Sequence, residues 1–233
     1  MKLAMDSLNV DLASRSVLRE VTVSFEAGQT VAVVGRNGAG KTTLLRALMG
    51  LIPSRSGRIT LEENDITKEA AHLRAAHGFG YAPEDRVILP TLTVVENVTL
   101  PCEVLRIGRA ETARRMASVL QVVPQLEPML SRSGAALSGG QGKIVALARA
   151  LMVGTRFVLL DEPFQGLAPV LARQYGESLT ALRSTHPDLC VVVTESNAAL
   201  LANVQSKTLY IERGRVSEDT FEVISKDMAV ATH

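Results

Sequence analysis

The sequence predicts one α/β domain with a mostly parallel core sheet, an N-terminal antiparallel β-subdomain and an inserted α-helical subdomain. Three observations predict this fold class. Short, almost wholly apolar runs at residues 30–34, 157–160, 189–193 and 209–211 suit strands that are covered on both faces. A glycine-rich turn after the first run leads into a helical pattern. Segments before residue 30 instead alternate apolar and polar side chains, as half-buried antiparallel strands do.

The N-terminal β-subdomain is predicted from side-chain alternation. Residues 7–12 and 21–25 place apolar side chains at every second position, so each strand has one face for the core and one for solvent. Residues 57–61 predict a further strand of the same kind.

A phosphate-binding loop is predicted between the first buried strand and the following helix. Residues 35–42 read GRNGAGKT and match G-x-x-x-x-G-K-[ST] in the strand-to-helix context that the motif requires. Glycines let backbone N–H groups turn towards a polyphosphate, and the helix presents its positive end to the same anion. Lys41 adds a charge beside the outer phosphates, and the Thr42 hydroxyl is a predicted Mg²⁺ ligand. The predicted nucleotide-binding residues of this segment are Gly35, Asn37, Gly38, Gly40, Lys41, Thr42 and Thr43.

The segment after the loop changes to a helical character. Thr93 and Glu96 match a capping box, in which a hydroxyl and a carboxylate satisfy amides at the start of a helix. Residues 109–122 carry alanine, methionine and leucine on one helical face. The tail after residue 215 is too short for a further domain. The predicted parts of the single domain, residues 1–233, are a core of residues 1–84 and 136–233 and a helical subdomain of residues 85–135.

A second anion-binding helix start is predicted at residues 137–141, which read LSGGQ and precede a strongly helical pattern. Ser138 is placed to cap this helix, and the two glycines leave its first amides bare. One chain has no evident use for two phosphate sites, so we expect this one to serve a nucleotide bound by another subunit. An ordinary Ser-Gly-Gly helix start is the alternative. Arg149, later in the same helix, is expected to form a structural ion pair. The predicted residues for the other subunit's nucleotide are Ser138, Gly139, Gly140 and Gln141.

Two carboxylates end the apolar run at residues 157–160. Asp161, at the end of a buried strand beside a phosphate loop, is placed to hold Mg²⁺. Glu162 is placed to orient or deprotonate the water that attacks the terminal phosphate, and we assign catalytic roles to Glu162 and Lys41. A strand that ends in an acidic surface turn is the alternative, which the phosphate loop upstream disfavours.

Composition narrows the function classes. The net charge is +1 and 46% of the residues are hydrophobic, which indicates neither a nucleic-acid-binding surface nor an acidic tail. Cys102 and Cys190 are expected to be reduced, buried thiols of a cytoplasmic protein. The N-terminus is charged too early for a signal peptide, and no run approaches the roughly 20 apolar residues of a membrane helix. We therefore expect any role at a membrane to be peripheral, on its cytoplasmic face.

Residues 35–42, 137–141 and 157–162 together, in this order, resemble the ATP-binding subunit of an ABC transporter over essentially the whole chain. LSGGQ before a helix, combined with a phosphate loop and LLDEP, makes this resemblance specific. It implies a P-loop NTPase with the ABC-ATPase fold and with ATP and Mg²⁺ as cofactors. It also implies a head-to-tail dimer, in which ATP lies between the phosphate loop of one subunit and the LSGGQ of the other.

Shorter segments resemble one branch of that family, the ATPases of branched-chain amino-acid importers and their amide and urea relatives. The segments are YAPEDR at residues 81–86, LTVVEN at 92–97, EPFQGLAP at 162–169 and TESNA at 194–198. The resemblance implies solute uptake, although an ATPase never touches the cargo.

Four positions depart from the usual family pattern. Leu12 replaces the aromatic residue that stacks on adenine, and stacking is worth about 0.5–1.5 kcal/mol in aromatic pairs. Glu84 replaces the glutamine that links Mg²⁺ and the attacking water to the membrane partner, so it is a predicted nucleotide and metal contact. Ala168 replaces an aspartate. Ser196 replaces the histidine that contacts the terminal phosphate, which a short hydroxyl reaches only through a water.

The leading function hypothesis is an ATPase that couples ATP binding and hydrolysis to solute uptake through membrane permease subunits, with a substrate-binding protein involved only indirectly. The four departures favour a heterodimer in which this chain hydrolyses ATP slowly and its LSGGQ completes the site of another ATPase, with a homodimer as the alternative. A second hypothesis is a nucleotide-binding regulatory or scaffold subunit with little hydrolysis. A soluble ABC-type ATPase acting on DNA or ribosomes is disfavoured, and no nucleic-acid partner is expected.

Overall fold

The computed structural model describes residues 1–201, 204 and 206–218, so most of the tail after residue 215 lies outside the described residues. Within the described part, no helix is both long enough and apolar enough to cross a membrane. The strands are β1 (Lys2–Leu12), β2 (Arg15–Glu26), β3 (Thr30–Val34), β4 (Ser56–Leu61), β5 (Asn64–Asp65), β6 (Phe79–Ala82), β7 (Phe157–Asp161), β8 (Cys190–Glu195), β9 (Lys207–Glu212) and β10 (Arg215–Ser217). The helices are α1 (Lys41–Leu48), α2 (Ala71–Ala76), α3 (Val94–Val104), α4 (Arg109–Val122), α5 (Gly139–Val153) and α6 (Pro169–Thr185).

The strands form two sheets, which confirms the predicted α/β class. The N-terminal sheet has the order β2-β1-β4-β5 and is antiparallel. The core sheet has the order β10-β9-β3-β8-β7-β6, in which only β10 pairs antiparallel with its neighbour. The carboxyl ends of β3, β7 and β8 therefore lie side by side at one edge, where open α/β sheets bind their ligands.

The core sheet is buried on both faces because successive side chains point to opposite sides of a strand. In β7, Phe157 and Leu159 pack with α1 and the antiparallel sheet, whereas Val158 and Leu160 pack with α3–α6. The near-continuous apolar runs of the sequence are the direct consequence of this double coverage.

The N-terminal strands are longer than their sequence pattern indicates. β1 includes register shifts between Met5 and Leu8 and again before Asp11, and each shift interrupts the alternation that marks a strand in sequence. Residues 7–12 and 21–25 are therefore confirmed as parts of strands that begin earlier in the chain.

The helical segments after the phosphate loop begin as their caps predict. Thr93 and Glu96 form the capping box of α3, with the Glu96 N–H bonded to the Thr93 hydroxyl at 3.3 Å. α4 spans the predicted residues 109–122. The division of the chain at residues 84 and 135 into core and helical subdomain stays a prediction.

Candidate nucleotide-binding site

The loop at residues 35–40 joins β3 to α1 and depends on glycine at two kinds of position. Gly38 and Gly40 have φ angles of 81° and 113°, which lie in the left-handed region where residues with a Cβ are strained. Gly35 instead lacks space, because a Cβ there would approach the carbonyl oxygen of Ile211 to 2.3 Å. The loop can therefore turn tightly at the positive end of α1, as an anion-binding loop must.

Lys41, the first residue of α1, is bound back over this loop. Its ammonium donates to the carbonyl oxygens of Gly35 at 2.6 Å and Arg36 at 3.1 Å. It also forms an ion pair with Glu162 Oε1 at 3.0 Å, and both side chains are more than nine-tenths buried. The three donors of the ammonium are thus matched by three acceptors. One of them is the carboxylate to which the sequence assigns water activation.

The Thr42 hydroxyl and the Asp161 carboxylate form the second contact between α1 and β7. Thr42 donates to Asp161 at 3.1 Å, and Asp161 also accepts hydrogen bonds from Thr194 at 2.9 Å and from Tyr81 at 3.2 Å. Burial raises the pKa of Asp161, and the three hydroxyl donors oppose this effect. A hydroxyl and a buried carboxylate oxygen side by side are ligands that Mg²⁺ accepts, so this pair fits the predicted metal.

Among the described residues, no three His, Cys, Asp or Glu side chains cluster in a way that could hold a metal ion.

Glu162 has an unusual backbone conformation. Its φ angle is 43°, and a non-glycine residue in that region costs about 1–3 kcal/mol, so the conformation persists only where surrounding contacts hold it. Its N–H bonds to the carbonyl and hydroxyl oxygens of Thr194 at 3.1 and 3.2 Å, and its carbonyl accepts from the Lys143 ammonium. Its second carboxylate oxygen lies 3.5 Å from the Ser196 hydroxyl.

Glu195, at the end of β8, is fully buried beside this segment. One carboxylate oxygen accepts from the N–H of Phe164 at 2.8 Å, and the other has no hydrogen-bond partner among the described residues. Burial is the main cause that raises the pKa of Glu195 to about 7. The charges of Glu162 and Lys143 act on this pKa in opposite directions.

The residues predicted to meet another subunit's nucleotide start α5, as their capping pattern predicts. The Ser138 hydroxyl accepts from the Gln141 N–H at 3.3 Å, and the Gln141 side chain accepts from the Ser138 N–H at 3.0 Å. A Cβ on Gly139 would come within 2.8 Å of an Arg86 guanidinium nitrogen, and one on Gly140 within 2.5 Å of Leu171. The glycines therefore let neighbouring side chains approach the helix end closely.

A cavity of about 560 Å³ extends from α1 to the start of α5. It brings Glu84 near Gly139 and Lys143, whereas Leu12 lies apart at the end of β1, with 40% of its surface exposed. The assignments of Leu12, Asn37, Thr43, Glu84 and the other site residues to nucleotide or metal stay predictions. The cavity is lined by Arg46, Glu84, Asp85, Arg86, Gly139, Lys143, Gln165, Gly166 and Leu167.

The expected ion pair of Arg149 is not formed with any of the residues that the structure describes. Its guanidinium donates to the backbone carbonyl oxygens of Arg86 and Val87, two residues with φ angles of 65° and 46°. A planar fork of donors suits two adjacent carbonyls that a left-handed turn directs to the same side. Arg149 therefore ties α5 to the segment that carries Glu84.

Three side chains of the site were missed in the sequence, namely Tyr81, Lys143 and Thr194. Tyr81 and Thr194 stand in the segments at residues 81–86 and 194–198, but no role was assigned to either side chain, and Lys143 lies outside the quoted segments. Tyr81 and Thr194 could have been found from topology, since β6 and β8 flank β7 and end at the same edge as Asp161. The sequence gives no signal for Lys143, because its contact with the Glu162 carbonyl depends on how α5 packs against β7.

A glycine loop between a buried strand and a helix, facing two carboxylates at the end of a second strand of the same sheet, defines a phosphate-loop nucleotide-binding protein. Within that class, the chain belongs to the ABC transporter family. The family model described as "ABC transporter" matches residues 18–165. This range includes the phosphate loop, LSGGQ and both carboxylates.

Individual relatives agree with this membership. The chain is 32% identical over 214 residues to the lipopolysaccharide export system ATP-binding protein LptB of Acidithiobacillus ferridurans, covering 92% of the chain and 88% of that protein. It is 29% identical over 210 residues to a probable branched-chain amino acid transport ATP-binding protein LivF of Archaeoglobus fulgidus, covering 90% and 88%. The predicted amino-acid branch is therefore not confirmed.

A solved structure supports the fold. A dimeric bacterial ABC transporter cassette superposes with a TM-score of 0.79 at 22% identity, covering 92% of the chain and 96% of the cassette. At this identity the similarity shows the fold alone.

Proposed function

We propose that this chain hydrolyses ATP as one of two ATPase subunits on the cytoplasmic face of a membrane transporter, and that it passes the resulting motion to permease subunits. One observation carries the proposal. Lys41 and Thr42 at the start of α1 meet the carboxylates of Glu162 and Asp161 at 3.0 and 3.1 Å. Lys41, which is assigned to phosphate, therefore lies beside Glu162, which is assigned to the attacking water. Thr42 lies beside Asp161, and both are assigned to Mg²⁺.

Lys41 is the group that we expect to change partners when ATP binds. Its ammonium now balances the Glu162 carboxylate, and phosphate oxygens in the loop would offer it a stronger set of acceptors. Once Lys41 turns to the phosphates, Glu162 is free to accept a proton from the attacking water. Mg²⁺, when bound, neutralises charge on the phosphate oxygens, and Thr42 and Asp161 are the side chains that would hold it.

We further propose that this chain's own site is the slower of two in a heterodimer. Ser196 supports this, because its hydroxyl points to the Glu162 carboxylate at 3.5 Å and carries no charge for a terminal phosphate. The same site is weakened further because three side chains that usually contact the nucleotide, metal or water in this family are replaced, by Leu12, Glu84 and Ala168. The start of α5, from Ser138 to Gln141, would complete the nucleotide site of the other ATPase.

The cargo and the direction of transport stay outside this proposal. The relatives named above include an export ATPase at 32% identity and an amino-acid transport ATPase at 29%, and these values are too close to separate two cargo classes. The predicted uptake of amino acids, amides or urea, and the indirect role of a substrate-binding protein, rest on short segments alone.

The second candidate function is a nucleotide-binding regulatory subunit that barely hydrolyses ATP. The Ser196–Glu162 contact favours it, since a hydroxyl that donates to the carboxylate makes it a poorer base. The presence of Glu162 itself opposes it. The effect of Glu162→Gln on the turnover of the mixture with the other ATPase separates the two candidates.

The test is phosphate release by the purified full-length chain with ATP and MgCl₂, alone and together with the ATPase that co-purifies with it from the membrane. We expect Glu162→Gln to reduce turnover at this site by about 100-fold or more while ATP still binds. We expect Lys41→Ala to weaken ATP binding itself. Equal turnover of wild type and Glu162→Gln would overturn the proposed hydrolysis, and equal turnover of the isolated chain and the mixture would overturn the asymmetry.

A further inference from the structure

Lys143 contacts the carbonyl of Glu162, although the chemistry proposed above gives it no role. It lies in the first turns of α5, and its ammonium donates to this carbonyl across the gap between α5 and the end of β7. On the other side of the residue, the Glu162 N–H is bound by Thr194. Both polar groups of the Glu162 backbone are therefore fixed by neighbouring elements, which explains how the left-handed φ of 43° is kept.

Glu195, when it is ionised, favours the charged form of Lys143 in this half-buried place. Burial lowers the pKa of Lys143, and the negative charge of Glu195 is the largest influence against that effect. Glu195 also binds the N–H of Phe164 at 2.8 Å. The same carboxylate therefore fixes the chain two residues after Glu162 and stabilises the cation that holds Glu162 itself.

We propose that Lys143 is a positioning residue for the ATPase reaction, which holds the peptide of Glu162 so that its side chain stays beside Lys41. This inference rests on the function proposed above. It adds a link that the motifs do not contain, because Lys143 belongs to the helix whose first residues are predicted to meet the other subunit's nucleotide. A shift of α5 would move the Lys143 ammonium relative to the Glu162 carbonyl. Binding of the other subunit's nucleotide at the start of α5 would therefore change the position of the Glu162 carboxylate in this chain's own site.

The test compares Lys143→Met, which keeps the length of the side chain and removes its charge, with Lys143→Arg, which keeps a donor, and with Lys68→Met as an exposed control. A double variant, Lys143→Met with Glu195→Gln, removes both buried charges and serves if the single variant does not fold. For each protein we would determine a nucleotide-free crystal structure, the Kd for ATP and the kcat and KM for ATP hydrolysis.

We expect Lys143→Met to move residue 162 to a negative φ and to separate Lys41 Nζ from Glu162 Oε1 beyond about 4 Å, the limit of an ion pair. We expect kcat to fall about tenfold, with Kd and KM within about twofold of wild type, since binding does not use this contact. Lys143→Arg should recover most of the loss, and Lys68→Met should show none. An unchanged φ and an unchanged Lys41–Glu162 distance would overturn the inference, as would a variant whose kcat equals that of wild type.

The two readouts keep this inference separate from the proposed function. If the mixture of this chain with the co-purifying ATPase turned over ATP no faster with wild type than with Glu162→Gln, the proposed hydrolysis would be contradicted, while the crystal structures would still show whether Lys143 sets the conformation of Glu162. An active wild type with an unmoved Glu162 in Lys143→Met would contradict the positioning role alone.

Discussion

Replacement of the buried Glu195 by glutamine should change how the stability of the protein depends on pH. Glu195 is fully buried, and burial raises its pKa from the usual 4.5 to about 7 in the folded state. Between these two pH values the unfolded chain is ionised and the folded chain keeps its proton. The folded state therefore binds more protons, and the stability contributed by this group falls as the pH rises through that interval.

The size of the effect follows from the same interval. A pKa of about 7 against 4.5, at about 1.4 kcal/mol per pH unit, corresponds to about 3 kcal/mol. Glutamine has no such proton and retains an oxygen for the N–H of Phe164. We expect the free energy of unfolding of Glu195→Gln, relative to wild type, to increase by about 3 kcal/mol from pH 4.5 to above pH 7.

The assay is urea unfolding of both proteins at a series of pH values, followed by subtraction of the two free energies of unfolding at each pH. Glu63→Gln, at an exposed position, is the matched control and should give a difference without this rise. A flat difference for Glu195→Gln, or one that rises towards acid pH, would refute a buried carboxyl with a raised pKa at this position.

Three further predictions concern single residues. Arg74→Met should lower the free energy of unfolding by about 3 kcal/mol, measured by urea unfolding, because it removes four donors to carbonyls, including that of Ala47 in the last turn of α1. Gly40→Ala should weaken ATP binding in a fluorescent-nucleotide titration, since φ is 113° and a Cβ would lie 3.0 Å from Leu18, whereas an affinity equal to wild type would contradict the loop geometry. Ser196→His should raise ATP turnover about tenfold if the missing imidazole contact to the terminal phosphate limits this site, with Ser196→Ala, which also lacks that contact, as the control that should not reach this increase.

Much of the fold could be predicted because it depends on local pattern. The buried strands β3, β7 and β8 were visible as apolar runs, since a parallel sheet covered on both faces leaves no polar alternation. The caps at Thr93 and Ser138 were visible because capping is a contact across three residues. The irregular parts of β1 were not visible, because its register shifts are set by the partner strands rather than by its own sequence.

The candidate site also has a part that the sequence predicts and a part that it does not. The phosphate loop and the two carboxylates are motifs with fixed spacing, so Lys41, Thr42, Asp161 and Glu162 could be placed together before the structure was known. The contacts that hold them, from Lys143 and Thr194, join residues far apart in sequence and depend on the packing of α5 and β8 around β7. Arg149 shows the same limit, since its partners are backbone carbonyls, which no sequence pattern marks.

Sedimentation velocity of the Glu162→Gln variant mixed with the ATPase that co-purifies with it, with and without ATP and MgCl₂, tests most directly whether ATP binds between a phosphate loop and an LSGGQ helix start. We expect ATP to convert this mixture from monomers to heterodimers, and we expect the mixture in which the variant also carries Lys41→Ala or Ser138→Arg to stay monomeric. A mixture that binds ATP but stays monomeric at saturating ATP, or one that pairs equally well with Ser138→Arg, would contradict the account.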